Sequence, residues 1–434
     1  MLSKLEYGAV IYASGAKNAL NKLNSVHHLG IRLAIGAFRT SPVSSILSDS
    51  GFFPLNIRRD IQTIKYGVKA LRNPNHPLHD KLRMNVNLNW YHSHPRAAKS
   101  YCTRFWETKI KYNLNLENIW ETKLCYVPPW QIPRICIDTS MAQKTKENTS
   151  NLEYKTLFMD LCEKYKHSQF IYTDGSKMNN YVGCATYSST HQTQHQLPVD
   201  ISISSAELIA IQEAIKTINA NHITTDYLIL SDSEASLRGI GNIYSDNPFV
   251  QAIHEQLFSS FQAGNTVKFC WIPSHTGIKG NSIVDTLAKT APETSRITVQ
   301  RTIAEAVTYI KNTIKTSCDT EWNNLTNNKM KEIKHHIKVW ESSNRKSRKE
   351  SVVLTRLRIG HTKITHEHIL KRADPPQCDL CQVNLSVSHI LNECIKYHDL
   401  RSKYQVNLQC LGDNIEQNSR VISFLKQSNI YKDI

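Results

Sequence analysis

Four carboxylates in the middle of this 434-residue chain, Asp174, Glu207, Asp232 and Asp285, fall where the surrounding pattern puts strand ends and helix starts. Residues at such positions of an α/β sheet can converge on one patch. Carboxylates packed together without counter-charge repel and shift one another's pKa, so a cluster of this kind is expected to hold a hard cation. Mg²⁺ suits it, because that ion prefers oxygen ligands and keeps several waters. Two such ions roughly 3.5–4 Å apart can activate a water and stabilise the leaving oxygen of a phosphodiester in line. Taken singly, any one of these acids reads as an ordinary surface charge. A second set is spaced for a softer metal: Cys378-x2-Cys381-x7-His389-x4-Cys394 offers three thiolates and an imidazole, a complete tetrahedral set for structural Zn²⁺ with no position left open for catalysis. The competing reading is a group of reduced core thiols. His361, His366, His368 and His398 lie close enough in sequence to replace His389, and the sequence leaves that choice open.

The elements that must position the acids are short and alternate in type. Strands are expected at 169–173, 182–187, 227–230 and 267–272. Helices are expected at 204–218, opened by Ser204 or Ser205 as cap and closed near Asn219, and at 234–240, 248–261 and 281–289. Strands alternating with helices argue for a mixed α/β layer fold. Upstream, Ala16, Leu20, Leu23, Val26, Leu29 and Leu33 recur at helical spacing and predict a helical module over 1–84. The pattern fades over 85–165, where Asn-Pro and His-Pro steps, Pro128-Pro129 and four tryptophans suggest an irregular linker. The α/β region is assigned to 166–292, a basic helical region to 293–350, and a region carrying the Cys/His motif to 351–434.

Charge follows the same division. Residues 1–150 hold 21 basic and 9 acidic residues, and 293–434 hold 23 and 15, whereas 166–292 hold 7 basic and 10 acidic. The whole chain carries +16, an imbalance typical of proteins that meet polyanions, so nucleic acid is the expected partner. The basic arms can supply salt-dependent phosphate affinity, or they are simply solvated helices. Arg32, Arg39, Arg58 and Arg59 are candidates for phosphate contact, with surface charge as the plain alternative. No apolar run reaches the roughly 18 residues of a membrane helix, and the first residues lack the layout of a signal peptide. Neither a membrane nor a small-molecule cofactor is expected. Eleven scattered cysteines fit reduced thiols in a nuclear or cytoplasmic setting better than a disulfide framework. Asn344-Arg345-Lys346-Ser347-Arg348-Lys349 is a weak localisation signal.

The wording around the acids is more specific than their spacing. Tyr172-Thr173-Asp174-Gly175-Ser176, Ser205-Ala206-Glu207-Leu208, Ser231-Asp232-Ser233, and Trp271-Ile272-Pro273-Ser274-His275-Thr276-Gly277 with Gly280-Asn281 and Asp285 resemble, in that order, the motifs of type 1 ribonuclease H. The resemblance covers about 166–292. It implies a five-stranded mixed sheet with flanking helices, hydrolysis of the RNA strand of RNA–DNA hybrids, and two Mg²⁺ or Mn²⁺ ions. Carried over by residue, Asp174, Glu207, Asp232 and Asp285 look like the metal-binding carboxylates. His275 looks like the mobile loop histidine that assists proton traffic or product release. Gly175, Ser176 and Asn281 are candidates for contact with the hybrid, where telling RNA from DNA requires reading the 2′-hydroxyl. Ser282 and Val284 depart from the Glu and Ala common beside the last Asp, and no basic protrusion is evident between the middle helices. The metal ligands are spared, so activity is expected to persist, with substrate grip drawn from the flanking arms.

The Cys/His motif and the upstream Leu354-Thr355-Arg356-Leu357-Arg358-Ile359-Gly360-His361 resemble the C-terminal region of non-LTR retrotransposon reverse transcriptases, where the motif is associated with nucleic-acid binding. Leu5-Glu6-Tyr7-Gly8, the run from Ile31 to Pro42, and Pro54-Leu55-Asn56-Ile57-Arg58-Arg59 look like the region after the polymerase palm in Jockey-like elements. No paired-aspartate box of a palm is present, so polymerisation is not expected. The chain is read as the C-terminal portion of such a polyprotein, with a thumb-like helical remnant first. The expected activity is therefore a metal-dependent hybrid ribonuclease. The rival is a catalytically weak or inactive nucleic-acid-binding remnant, and an integrase or transposase of similar fold ranks last because it would not need the Trp271–Gly277 wording. RNA sequence preference and oligomeric state are not specified by the sequence.

Overall fold

A computed structural model of the chain describes residues 2–84, 86, 88–94, 96–122, 127–143, 149–221, 224–326, 328–343 and 347–434. It folds as two compact units, one of residues 68–80 and 115–309, the other of residues 1–67, 81–114 and 310–434. No helix among the described residues is long and apolar enough to cross a membrane.

The first of these units is built on a mixed sheet of six strands: β1 (Ile137–Asp138), β2 (Gln169–Met178), β3 (Tyr181–Tyr187), β4 (Gln192–Leu197), β5 (Asp226–Ser231) and β6 (Thr266–Trp271), in the order β1-β6-β5-β2-β3-β4. β2, β3 and β4 form an antiparallel meander, while β2, β5, β6 and β1 run parallel. Parallel strands are covered on both faces, and β5 shows why its sequence is continuously apolar. Tyr227 and Ile229 enter the core beneath the Ile203–Ala220 and Pro248–Gln262 helices, while Leu228 and Leu230 point the other way. There they meet Tyr154 and Leu161 of the Asn151–Lys164 helix. The Lys279–Lys289 helix packs Val284 and Ala288 against Ala185 of β3.

The sheet of β2 to β6 is the five-stranded mixed layer expected, and β1 adds a two-residue edge. Three local expectations are corrected. β4, Gln-Thr-Gln-His-Gln-Leu, was not anticipated because it lies at an edge, where polar residues need no core. The Ile203–Ala220 helix begins at the cap Ser202, whose Oγ accepts the Ser205 N–H at 3.1 Å, rather than at Ser204 or Ser205. Residues 85–165 are not uniformly irregular: they contain helices Tyr101–Lys111 and Asn151–Lys164, the second opened by a capping box between Ser150 and Glu153. Residues 144–148 of the expected linker, and 344–346 of the localisation candidate, lie outside the described residues.

In the other unit, N-terminal helices share a core with the C-terminal region. Ile31, Ile46 and Leu47 pack with Trp322, Trp340 and Ile359. At its centre Asp49, fully buried, accepts from Trp340 Nε1 at 2.8 Å and Thr355 Oγ1 at 3.0 Å. Burial pushes its carboxyl up while Arg358 and Lys334 pull it down. Lys334 Nζ donates to Ser48 O at 2.6 Å, and burial draws its pKa to about 8. Of the arginines considered for phosphate contact, Arg32 donates to Ser41 O, Arg58 pairs with Glu6, and Arg59 is buried.

One close approach in the sheet unit bears on the site. A Cβ at Gly280 would stand 2.3 Å from ring carbons of Tyr172 in β2, so only glycine lets the Lys279–Lys289 helix sit this near the strand. Gly280→Ala should lower the stability of the sheet unit by about 1–3 kcal/mol through overpacking, measured by urea unfolding.

Candidate active site

The register of β2 and β5 brings the first two acids together. The strands are parallel and pair Thr173 with Ser231, so the next residues, Asp174 and Asp232, emerge side by side where β5 ends. Glu207 arrives from the first turns of the Ile203–Ala220 helix, and Gly175 permits its approach. A Cβ on Gly175 would lie 2.6 Å from the backbone N of Glu207 and 2.9 Å from the carbonyl carbon of Ala206. The missing side chain at 175 thus serves helix-on-strand packing, and Ser176 beside it is buried as well.

Asp174, Glu207 and Asp232 offer oxygens that all lie within 4.8 Å of one another. Asp174 and Glu207 are 6% and 7% exposed, so their charges are largely withdrawn from water. Burial, then the charges of Asp232 and Asp285, raises Asp174 to about 7. Burial and the charges of Asp174 and Asp232 push Glu207 well above the usual carboxylate range. Asp232 is raised by burial, against which the Asn281 side chain, hydrogen-bonded to it, and the charge of His275 act to lower it. Asp174 Oδ2, Glu207 Oε2 and Asn281 Oδ1 are buried without a hydrogen-bond partner among the described residues. Unpaired buried oxygens of this kind are rare in folded proteins and call for a cation or a ligand. The donor set is all oxygen, which fits a hard divalent ion.

Asp285 stands apart from that trio. Its charge reaches Asp174 and Asp232, but its Oδ2 is engaged by Lys289 Nζ at 2.7 Å, one helical turn on. Sequence reasoning passed over Lys289; the available signal was the Asp-x3-Lys spacing that puts both side chains on one helix face. His275 lies exposed in the loop after β6, with a left-handed backbone at φ 56°. The loop is anchored around it by Trp271 Nε1 donating to Asp232 O at 3.0 Å and by Thr276 Oγ1 donating to Pro273 O at 3.1 Å.

A second group lies in the other unit. The ligand atoms of Cys378, Cys381, His389 and Cys394 fall within 4.8 Å of one another, and none of His361, His366, His368 or His398 belongs to that group. His361 and His366 are instead stacked on each other at 3.7 Å between ring centroids. The turn holding Cys378 and Cys381 is closed by Gln382 N–H donating to Cys378 O and by Cys378 N–H donating to Val383 O, each at 2.9 Å. A single wide turn, His389–Glu393, carries the chain to Cys394, whose N–H donates to His389 O at 2.8 Å. The Cys381 backbone N–H and the His389 ring hold the Cys378 thiol down to about 6, which favours thiolate. His389 Nε2 is buried and has no nitrogen or oxygen partner among the described residues. Three sulfurs and one imidazole make a Cys₃His site of structural type.

Residues 166–293 match the RNase H family. The chain therefore carries an RNase H domain, and the three gathered carboxylates, Asp285, His275 and Asn281 all lie within it. Similarity extends to the "Pol polyprotein" of equine infectious anemia virus, strain Wyoming, at 30% identity over 138 residues. That alignment covers 31% of this chain and 11% of the viral protein, and isolates 1369 and CL22 match to the same extent. The chain thus spans about a tenth of the length of the curated relatives it matches.

The raised carboxylates of the RNase H domain make its stability depend on pH. A group whose folded pKa of about 7 exceeds its unfolded value of about 3.9 binds more protons folded than unfolded between those values. Metal-free stability therefore falls as pH rises through that window. In chelator at pH 8, Asp174→Asn should be more stable than the parent by about 1–3 kcal/mol, and the gap should close toward pH 4. Thermal melts across pH check this.

Proposed function

We propose that the protein hydrolyses the RNA strand of RNA–DNA hybrids, with divalent metal held by Asp174, Glu207, Asp232 and Asp285. The observation that carries this reading is the trio of carboxylates within 4.8 Å, two with buried unpaired oxygens, inside an RNase H domain. Two Mg²⁺ or Mn²⁺ ions, when bound there, supply activation of water and neutralisation of charge at the scissile phosphate. The protein's own groups do the rest. Asp174, within β2, Asp232, directly after the end of β5, and Glu207, fixed by the close approach at Gly175, form an oxygen-lined seat that needs little rearrangement to accept cations. The Asn281 side chain hydrogen-bonds Asp232 and favours its charged form. His275, exposed beside Asp232, is placed to carry protons between the site and solvent.

The second part of the proposal concerns the Cys₃His site, which we assign to structural Zn²⁺. Its four donors leave no open position, and its buried, unpaired His389 Nε2 and lowered Cys378 thiol are what a soft cation requires. The motifs flanking the RNase H domain support a place in the C-terminal part of a Jockey-like retrotransposon polyprotein, without the polymerase palm, acting in the nucleus or cytoplasm where RNA–DNA hybrids arise.

Cleavage of a labelled hybrid, beside single-stranded RNA and duplex DNA, in Mg²⁺, Mn²⁺ or EDTA tests the activity. Hybrid-only, metal-dependent cutting is expected, and Asp174→Asn should reduce it at least a thousandfold while hybrid binding changes less than about threefold. Tight binding without cutting in either metal would replace the enzyme reading with that of a binding remnant. For the second centre, Cys378→Ser should release the zinc found by elemental analysis and raise proteolysis of the C-terminal region. Full zinc content in that variant would exclude the ligand set.

A further inference from the structure

Among the four acids of the RNase H domain, only Asp285 forms an ion pair with a side chain of the described residues. Lys289 Nζ lies 2.7 Å from Asp285 Oδ2, and its charge also acts on Asp174, lowering a carboxyl that everything else around it but the Gly175 backbone raises. The ammonium is thus felt beyond its own helix, inside the carboxylate cluster. Its backbone is fixed: Tyr181 Oη donates to Ala288 O at 2.9 Å and accepts the Ala291 N–H at 2.8 Å, which pins the chain on both sides of position 289. Its side chain is not confined in the same way, being 44% exposed against 27% for Asp285. Asp285 also falls outside the group of oxygens that lie within 4.8 Å of one another.

We infer that Lys289 is a resident counter-cation of the acidic site, which holds Asp285 until a divalent ion takes that carboxylate over. The inference rests on the metal-binding reading of the carboxylates and adds what sets their affinity. Without metal, the ammonium offsets part of the repulsion among buried carboxylates. When a divalent ion arrives, Asp285 must be released or shared, and Lys289 swings toward solvent on its flexible stem. The site therefore fills only when the ion concentration is high enough to displace a charge already there. Lys289 is a positioning residue, acting through Asp285.

The test measures Mn²⁺ binding by electron paramagnetic resonance, using the full chain with its Cys₃His site loaded with Zn²⁺ and no nucleic acid present. Lys289→Gln should bind Mn²⁺ roughly three- to tenfold more tightly than the parent, the size expected for removing one partly solvated charge beside the site. Lys289→Arg should stay within twofold of the parent. In an Asp285→Asn background the Lys289→Gln effect should shrink below twofold, because the carboxylate being exchanged is gone. A merely structural helix pair would shift melting temperature and leave Mn²⁺ affinity alone. Parent-like affinity in Lys289→Gln, or an equal gain in both backgrounds, would overturn the inference. Mn²⁺ binding that Asp174→Asn fails to weaken would overturn it together with the metal reading. The expected Mn²⁺ ratios in a chain that cuts no hybrid would support the counter-cation and overturn only the proposed reaction.

Discussion

Three carboxylates held within 4.8 Å, two of them buried and the third half-buried, are the costly feature around which the sheet unit is organised. Desolvation and like-charge repulsion both favour their separation or protonation, and neither escape is open to the backbone. Separating Asp174 from Asp232 means breaking the parallel pairing of Thr173 with Ser231 and of the residues behind it. Moving Glu207 away means lifting a helix off the strand it touches through Gly175, and with it Ile209, Ile211 and Ile215, all in the core. The hydrophobic free energy of that core is what holds the acids together. The strain is thereby stored as a preference for cations, which is how a fixed scaffold lowers the reorganisation required at the moment of reaction.

The parts of this arrangement visible in the sequence were those with local signatures. The β5 run Tyr227-Leu228-Ile229-Leu230 is too apolar for a half-exposed strand, and the acid after it marks a strand end. The Asp174 and His275 wording is specific enough to place the site before any fold is drawn. What stayed hidden was set by context. β4 is polar because its outer side faces no further strand, so alternation of apolar and polar residues was absent. The Asn151–Lys164 helix packs Tyr154, Leu157, Phe158 and Leu161 at helical spacing, a period that the exposed Leu152 and Met159 blur in the sequence. Part of what Gly175 does is likewise unreadable from its type: its missing side chain lets the Ile203–Ala220 helix approach β2.

Net charge was the least transferable of the sequence signals. The basic arms suggested a surface for phosphate, yet several of their cations are spent inside the protein. Arg358 donates to Leu411 O, Asn418 Oδ1 and Ser342 Oγ, and Lys334 to Ser48 O and Lys338 O, both side chains being buried around Asp49. A buried charge network of this kind contributes little net stability compared with apolar packing, but losing one member leaves the others unpaired at high cost. Its effect is to require that residues near position 49 and residues between 334 and 418 fold together, although nearly 300 residues separate them in the chain. Periodicity and charge counts carry no information about such a pairing.

The two candidate metal centres illustrate how donor chemistry and location agree. The sulfur and imidazole ligands flank Val387, Ile390 and Leu391, which belong to the same core as Leu354, Leu357, Phe424 and Leu425. With Cys394 fully buried and His389 nearly so, a metal there would tie together backbone that has little regular structure of its own, between a tight turn and one wide helical turn. The oxygen ligands stand instead where β5 ends, next to a loop that presents His275 to solvent, and their unpaired lone pairs point to a cation that keeps labile positions. The soft donors sit against a core, and the hard donors, though Asp174 and Glu207 are no less buried, stand beside the exposed loop of His275. The two donor sets thus differ in chemistry and in setting: one is of sulfur and imidazole within a core, the other of oxygen at the end of a strand.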